Sequence, residues 1–283
     1  MKRDEDKILT KLDVADINVC FDEIRKEINE ISIRMTSLGF EFINKMGGDL
    51  ISEKNKRFMN IRNSIQYRLS SILFHFTLLL DIQMSFQDRL DENPFDKEES
   101  IKYLILGGEQ QYALFDSIVF HIVSLFDYLA CLISYSCSGK YESKLKWNSL
   151  IKTSFDFNSY LSNSRLKEIL QKWNNEFVDT LYNHRSDIIH YNMDFGNTGL
   201  YIDPIKNKVY LEIEAPYRFV KKFRELKNIS KENKIMINYS VEWFIKKSLL
   251  ATKDIINGIS LLMDTNRKVP KEKEVFIFRK PTK

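Results

Sequence analysis

Cysteine and histidine are scarce in this chain of 283 residues, which has three of the first and four of the second. Cys20, Cys131 and Cys137 are an odd number, and none has a second cysteine or a histidine at the spacing of zinc ligands. This pattern excludes a disulfide-stapled scaffold and a zinc-finger module, and it fits the reducing conditions of the cytosol. We therefore predict a cytoplasmic protein that uses no metal ion or other cofactor.

Glycine and proline are also few, with nine and five residues. The sequence contains no glycine-rich phosphate loop, no Ser-His-Asp order of a hydrolase and no helix motif that binds catalytic zinc. These absences exclude the commonest nucleotide hydrolases, serine hydrolases and metalloproteases. A low content of glycine and proline, together with abundant Lys, Glu, Leu and Ile, favours a helical protein.

Long apolar runs are absent apart from residues 117–137, which are long enough to cross a bilayer. His121 and Asp127 lie inside this run, and ionisable side chains are costly in the middle of a membrane. We expect a buried helix there and no contact with a membrane. The charged first six residues have no apolar segment behind them, so we also expect no signal peptide.

A strong charge of one sign is lacking as well. The formal net charge is +4, and residues 268–283 alone carry six Lys or Arg against two Glu. The rest of the chain therefore sums to zero. Nucleic-acid binding would need a local basic patch rather than the field of the whole molecule.

Apolar residues recur at spacings of three and four along most of the chain, which predicts helices. The Gly107-Gly108 pair is interpreted as a break before one of them. Two short β-rich segments predict a hairpin near 199–213. The predicted helices cover 13–46, 53–91, 109–138, a stretch capped by Asn163 or Ser164 and ending near 190, and 238–264.

The fold class that follows is all-α, a bundle of five or six long helices with one small inserted hairpin. We predict a single helical domain over 1–283. A charged, flexible tail occupies 266–283.

Polar and titratable residues crowd the end of the helix that closes near 190. Arg185 and His190 are five residues apart, so on a straight helix they point about 140° from each other. Either the helix unwinds before His190 or a partner subunit supplies the second group. Asp187 precedes His190 by about one turn and is expected to orient its imidazole. The other polar residues of this segment are Asn183, His184, Ser186 and Asn192.

The Arg-x4-His spacing of Arg185 and His190 resembles the signature of the HEPN superfamily, whose domains are all-helical and include many metal-independent ribonucleases. The resemblance implies that Arg185, His190 and Asp187 are catalytic and that RNA is the substrate. It implies a homodimer through the motif helix, and a toxin or antiviral role with an inhibitor protein as a partner. Asn183, His184, Ser186 and Asn192 are then substrate-binding residues. Ser186 stands where many members have Asn, Asp or His. The resemblance covers residues 100–265, which implies a HEPN-like core there with the hairpin inserted and the N-terminal helices, 1–92, as elaborations.

A second match to the same signature, Arg68-x6-His75, leaves open which pair is functional. His75 lies in an apolar segment that is typical of a protein core. The polar neighbours of Arg185 favour the later pair, because a site for a polar substrate must be accessible to water.

Basic residues also crowd a segment after the hairpin, 217–234. Lys221, Lys222 and Arg224 are candidates for binding RNA phosphates beside interleaved aromatic rings. The alternative is an amphipathic helix with its aromatics turned inward and its lysines solvated.

Structural interpretations compete with each functional one. His190 suits the last turn of a helix, where a histidine interacts favourably with the helix dipole. His184 falls on the apolar face of its helix, as a core histidine does. The whole chain could therefore be a catalytically silent helical protein that binds RNA, a nucleotide or a protein partner.

Overall fold

The computed structural model describes residues 14–47, 52–92, 97–138, 145–190, 195–203, 208–230 and 234–274. These residues form an all-α bundle with one small antiparallel hairpin, which confirms the predicted fold class. The long helices are α1 (Val14–Met46), α2 (Glu53–Glu92), α3 (Lys97–Ser138) and α9 (Ile237–Thr265), and the shorter ones are α4 (Trp147–Phe155), α5 (Arg165–Trp173), α6 (Asp179–His190), α7 (Tyr217–Lys222) and α8 (Arg224–Ile229).

The helix that carries the Arg-x4-His motif is continuous but not uniform. It starts with α5, where the Ser164 side chain accepts a hydrogen bond from the Lys167 amide. A π-helical turn, Asn174–Val178, then joins α5 to α6. On a regular α-helix, residues four apart in sequence are rotated by about 40° from each other around the helix axis, so a row of them gradually leaves one face. The wider π turn removes part of that rotation, and the apolar residues Leu170, Phe177 and Leu181 on either side of it and within it are all buried.

The predicted hairpin is confirmed as β1 (Thr198–Asp203) paired with β2 (Lys208–Ile213), with Thr198 opposite Ile213. Alternate residues of β2 are buried, which is the period of a strand with one face on the core. The side chain of Gln87 in α2 holds the hairpin in place by binding two backbone groups of β2. Its Nε2 donates to the Val209 carbonyl at 2.8 Å, and its Oε1 accepts from the Leu211 amide at 3.2 Å.

The predicted break at Gly107-Gly108 is wrong, because α3 starts at Lys97 and both glycines lie buried within it. A Cβ on Gly107 would lie 2.7 Å from the Phe86 ring, and one on Gly108 would lie 2.9 Å from Thr198 Cγ2. The glycines therefore allow α2 and β1 to approach α3 closely. Close packing outweighs the cost of glycine inside a helix, which is on the order of 1 kcal/mol.

The chain divides into two compact units, each made of three segments. Unit 1 contains Met1–Lys26, Ser70–Val123 and Thr180–Lys247, and unit 2 contains Glu27–Leu69, Ser124–Asp179 and Ser248–Lys283. The described part of unit 1 carries the hairpin, α7, α8 and nearly all of α6. The predicted organisation as one domain with an elaborated N-terminus and a core at 100–265 stays a prediction.

The core of unit 1 is aromatic where α3, α7 and α9 meet. The Phe219 ring lies at its centre, with ring centroids 4.8 Å from Phe115, 4.9 Å from Phe223 and 5.2 Å from Phe244. All four side chains are at most 3% exposed. Edge contacts between such rings add to the free energy gained by burying their area.

Unit 2 has its own aromatic core. Phe42 of α1 stacks on Phe58 of α2 with centroids 4.4 Å apart, and the ring of Tyr135 lies 5.9 Å from Phe42. Residues 266–274, the first part of the predicted flexible tail, bind α1 here. The Lys268 and Val269 amides both donate to the Lys45 carbonyl. Residues 275–283 lie outside the described residues.

Two of the described helices, α2 and the 101–137 part of α3, are long and apolar enough to cross a membrane by length and composition. Of the most apolar part of each, 39% of α2 and 67% of α3 is buried inside the structure. A buried core helix passes the same test, so this finding is weak evidence for a membrane span.

Candidate functional site

The backbone of α6 decides how Arg185 and His190 relate to each other. It stays α-helical from Asp179 to His190, so the helix does not unwind between the two residues. Their side chains therefore leave the helix about 140° apart. On a single copy of α6 the two side chains do not point towards one substrate atom.

Arg185 is half-buried, and its guanidinium lies over the Phe120 ring of α3, with Cζ 5.7 Å from the ring centroid. Among the described residues it has no carboxylate partner and no hydrogen bond. Contact with an aromatic face holds the planar group without using its N–H donors. Those donors remain able to bind an anion such as a phosphate. No pattern in the sequence indicated this role for Phe120, since it lies in an apolar run.

The remaining polar residues of α6 differ in how far they reach solvent. His190 is exposed in the last turn, and Asn183 and Ser186 are exposed one to two turns earlier. Ile189 is 47% exposed, four residues after Arg185 and on the same side of the helix. Asn192, the other predicted substrate-binding residue, lies outside the described residues.

Asp187 binds Lys222 of α7 rather than His190. Its Oδ2 accepts a hydrogen bond from Lys222 Nζ, and both side chains are about one-third exposed or less. This hydrogen bond is the main reason why the pKa of Asp187 lies below its ordinary value of 3.8; the charges of Lys222, His184 and Arg218 act in the same direction, and partial desolvation opposes them. Lys222, predicted to bind RNA, is thus largely neutralised by its partner.

His184 is buried, with 2% of its surface exposed. Its ring lies 4.9 Å from Phe219 and 6.3 Å from Phe115, both at steep angles. Neither ring nitrogen has a hydrogen-bond partner among the described residues. The pKa of His184 is lowered to about 4, mainly by burial and also by the Lys222 charge, while the Asp187 charge opposes this shift. A substrate at the surface of α6 cannot reach this ring.

The basic segment forms α7 and α8, separated by the non-helical residue Phe223. Phe219 and Phe223 are buried, so these rings are not available to stack on bases. Lys221 and Arg224 are exposed and have no carboxylate partner among the described residues. The segment therefore has Phe219 and Phe223 inside and Lys221 and Arg224 outside, as expected for an amphipathic helix, whereas Tyr217 is 46% exposed.

The second signature match lies on α2. His75 is half-buried, and its ring lies 4.9 Å from the ring of His121 in α3. Arg68, which belongs to unit 2, lies over the rings of Tyr67 and Tyr128. The prediction that His75 is a core residue is imprecise, since it faces partly outward between two helices.

No protein-family model, no curated protein and no solved structure matches this chain. Among the described residues, no group of three or more His, Cys, Asp or Glu side chains could hold a metal ion.

Proposed function

We propose that this protein is a metal-independent endoribonuclease of the HEPN type that cleaves single-stranded RNA in the cytoplasm. The observation that carries the proposal is Arg185, whose guanidinium is held over Phe120 and keeps its donors for an anion. A toxin or antiviral role, with an inhibitor protein as a partner, follows from the family resemblance and not from the geometry.

The two motif residues have complementary chemistry. Exposed His190 takes the proton of a ribose 2′-hydroxyl or gives one to the leaving oxygen, since imidazole exchanges protons near neutral pH. Arg185 binds the charge that develops on the phosphate as the 2′-oxygen attacks. Neither role needs a metal ion.

The divergence of the two side chains makes a homodimer part of the proposal. A twofold axis beside α6 sets Arg185 of one chain near His190 of the other, so one cleft holds both groups. Ile189 supports this arrangement, because it is 47% exposed at the end of α6 between the two motif residues. Such an apolar side chain is suited to burial between two copies.

Cleavage of a single-stranded RNA in the presence of EDTA tests the proposal. We expect Arg185→Ala or His190→Ala to lower the rate by about 10²-fold or more, as loss of an acid-base or charge-stabilising group does. The melting temperature should be almost unchanged, since neither side chain packs in the core. His75→Ala is the matched control, and it should keep full activity.

Three results would contradict the proposal. Cleavage that requires Mg²⁺ would contradict the mechanism, and loss of activity in His75→Ala but not in His190→Ala would move the site to α2. A large fall in the melting temperature of Arg185→Ala would indicate a structural role for Arg185.

Mixing experiments test the shared cleft. A mixture of Arg185→Ala and His190→Ala chains should recover part of the activity, because each mixed dimer keeps one complete pair of Arg185 and His190. An excess of chains that carry both substitutions should suppress the activity of intact chains beyond dilution, because such a mixed dimer has no complete pair. A fully active monomer in sedimentation would contradict the dimer.

A catalytically silent RNA-binding protein is the second candidate, and the exposed cations Lys221 and Arg224 favour it. Replacing both with Gln should weaken RNA binding and lower the salt slope by about 1.4, since each lost contact to single-stranded RNA removes about 0.7. If the intact chain binds RNA but does not cleave it, the protein is a silent RNA-binding protein and not a ribonuclease.

A further inference from the structure

His75 of α2 and His121 of α3 form the only pair of histidine rings in contact among the described residues. Their centroids are 4.9 Å apart and their planes are tilted by 44°. Both side chains are half-buried, so water and small ions reach them. Both residues belong to unit 1. The proposed ribonuclease mechanism uses neither of them.

A backbone contact fixes the tautomer of His75. Its Nδ1 lies 2.7 Å from the Ser71 carbonyl oxygen, one turn earlier on α2. A carbonyl oxygen only accepts hydrogen bonds, so Nδ1 carries the proton and Nε2 keeps its lone pair. A histidine that binds a metal commonly donates its other ring N–H to a backbone carbonyl in this way, which orients the ring and raises its basicity.

The separation of the two rings matches that of two ligands on one ion. When an imidazole binds a metal ion, its ring centroid lies about 3.2 Å from the ion. This distance is the Zn–N length of about 2.1 Å plus the distance from the nitrogen to the centroid. For ligand angles between about 90° and 109°, two such centroids are about 4.5 to 5.2 Å apart. The observed 4.9 Å lies inside this interval.

We propose that His75 and His121 bind one divalent late transition-metal ion such as Zn²⁺, Ni²⁺ or Cu²⁺. His75 binds through Nε2, His121 through a ring nitrogen, and water completes the coordination. Imidazole selects these ions over Mg²⁺ and Ca²⁺, which need several oxygen ligands. With two protein ligands the site exchanges its ion readily. It links α2 to α3 and does not depend on the proposed ribonuclease activity.

Calorimetric titration of the tag-free full-length chain with Zn²⁺, and separately with Cu²⁺, tests this site. We expect one ion per chain, with affinity that falls at acidic pH because protons compete for the ring nitrogens. His75→Gln and His121→Gln should each weaken binding by about tenfold or more, at least the effect of losing a supporting residue. His190→Gln is the matched control, since His190 is exposed but has no histidine beside it, and it should bind as the intact chain does.

Electron paramagnetic resonance of the Cu²⁺ complex counts the nitrogen ligands of the bound ion. This count separates the loss of a ligand from a loss of affinity caused by misfolding. The intact chain should show two nitrogen ligands, and either single variant should show one. Mg²⁺ at the same concentration should not compete. The proposal is overturned if the double variant binds as tightly as the intact chain, if His190→Gln abolishes binding, or if binding occurs only at millimolar ion.

Discussion

Replacing His184 by leucine should make the protein less sensitive to mild acid. The folded pKa of His184 is about 4, against an ordinary value of 6.5. Between these values the unfolded chain binds a proton at this residue and the folded chain does not. Protonation therefore favours unfolding, and the stability is complete above pH 6.5 and is lost progressively as the pH falls towards 4.

The size of the effect follows from the same two values. Each pH unit below 6.5 costs about 1.4 kcal/mol until the folded pKa is reached. At pH 5 the loss relative to pH 7.5 is about 2 kcal/mol, and the full loss near pH 4 is about 3 kcal/mol. Asp187 does not contribute between pH 7.5 and 5. Its pKa is lowered from 3.8 in the folded chain, so the stability that it provides is lost only as the pH falls below about 3.8.

Urea unfolding of the intact chain and of His184→Leu at pH 7.5 and 5 measures this difference. The variant should lose about 2 kcal/mol less than the intact chain between the two pH values. At pH 7.5 it should be as stable or more stable, because leucine has no ring nitrogens to bury without partners. His190→Gln, at an exposed histidine, should keep the full acid sensitivity.

The outcome that refutes this reasoning is an unchanged acid sensitivity in His184→Leu. Histidine NMR titration checks the premise directly, since one imidazole should titrate near pH 4. If all four imidazoles titrate near 6.5, the buried aromatic environment does not exclude the charged form of His184.

Three further predictions concern packing and burial. Gly107→Ala should destabilise the protein by about 1–3 kcal/mol in urea unfolding, because the new methyl group would lie 2.7 Å from the Phe86 ring; an unchanged stability would contradict the close approach. Gln87→Met should cost about 2 kcal/mol or more and increase amide exchange in β2, since it leaves a carbonyl and an amide of that strand unpaired; unaltered exchange would contradict this. The Cys137 thiol should resist a thiol reagent until urea unfolds the chain, because burial raises its pKa; rapid labelling under native conditions would contradict that burial.

The sequence predicted the helices well where one face is apolar and the ends carry clear signals. The spacing of the apolar residues placed α1, α2 and α9 to within one or two residues of their observed bounds. It failed at Gly107-Gly108, because glycine both ends helices and lets neighbouring elements approach. Only the position of Phe86 and Thr198 decides between these uses, and that position is a property of the folded chain.

The candidate site was less predictable for the same reason. Spacing alone indicated that Arg185 and His190 diverge on a regular helix, and α6 stays α-helical through both. Nothing local indicated that Lys222 would reach Asp187 or that Phe120 would lie under Arg185. These contacts join elements far apart in the chain, so they depend on tertiary packing that the periodicity of one helix does not contain.

The pairing of Asp187 with Lys222 separates two roles for this aspartate, and Asp187→Asn distinguishes them. If Asp187 orients His190, as its spacing on the helix suggests, the variant should cleave RNA more slowly at equal binding. If its function is to neutralise Lys222, as the observed hydrogen bond indicates, the variant frees a lysine charge beside exposed Lys221. RNA binding should then strengthen, and its salt slope should steepen by about 0.7, the value for one added contact to a single strand.

The second outcome is the one we expect. The ion pair is partly exposed, so its loss should change the free energy of unfolding by less than about 1 kcal/mol. A change in binding therefore cannot be attributed to unfolding. Asp187→Asn combined with Lys222→Gln is the matched control, since it removes the freed charge and should return the salt slope to that of the intact chain. Slower cleavage with an unchanged salt slope would indicate that Asp187 is a catalytic residue. It would also indicate that the contact between Asp187 and Lys222 is broken when RNA binds.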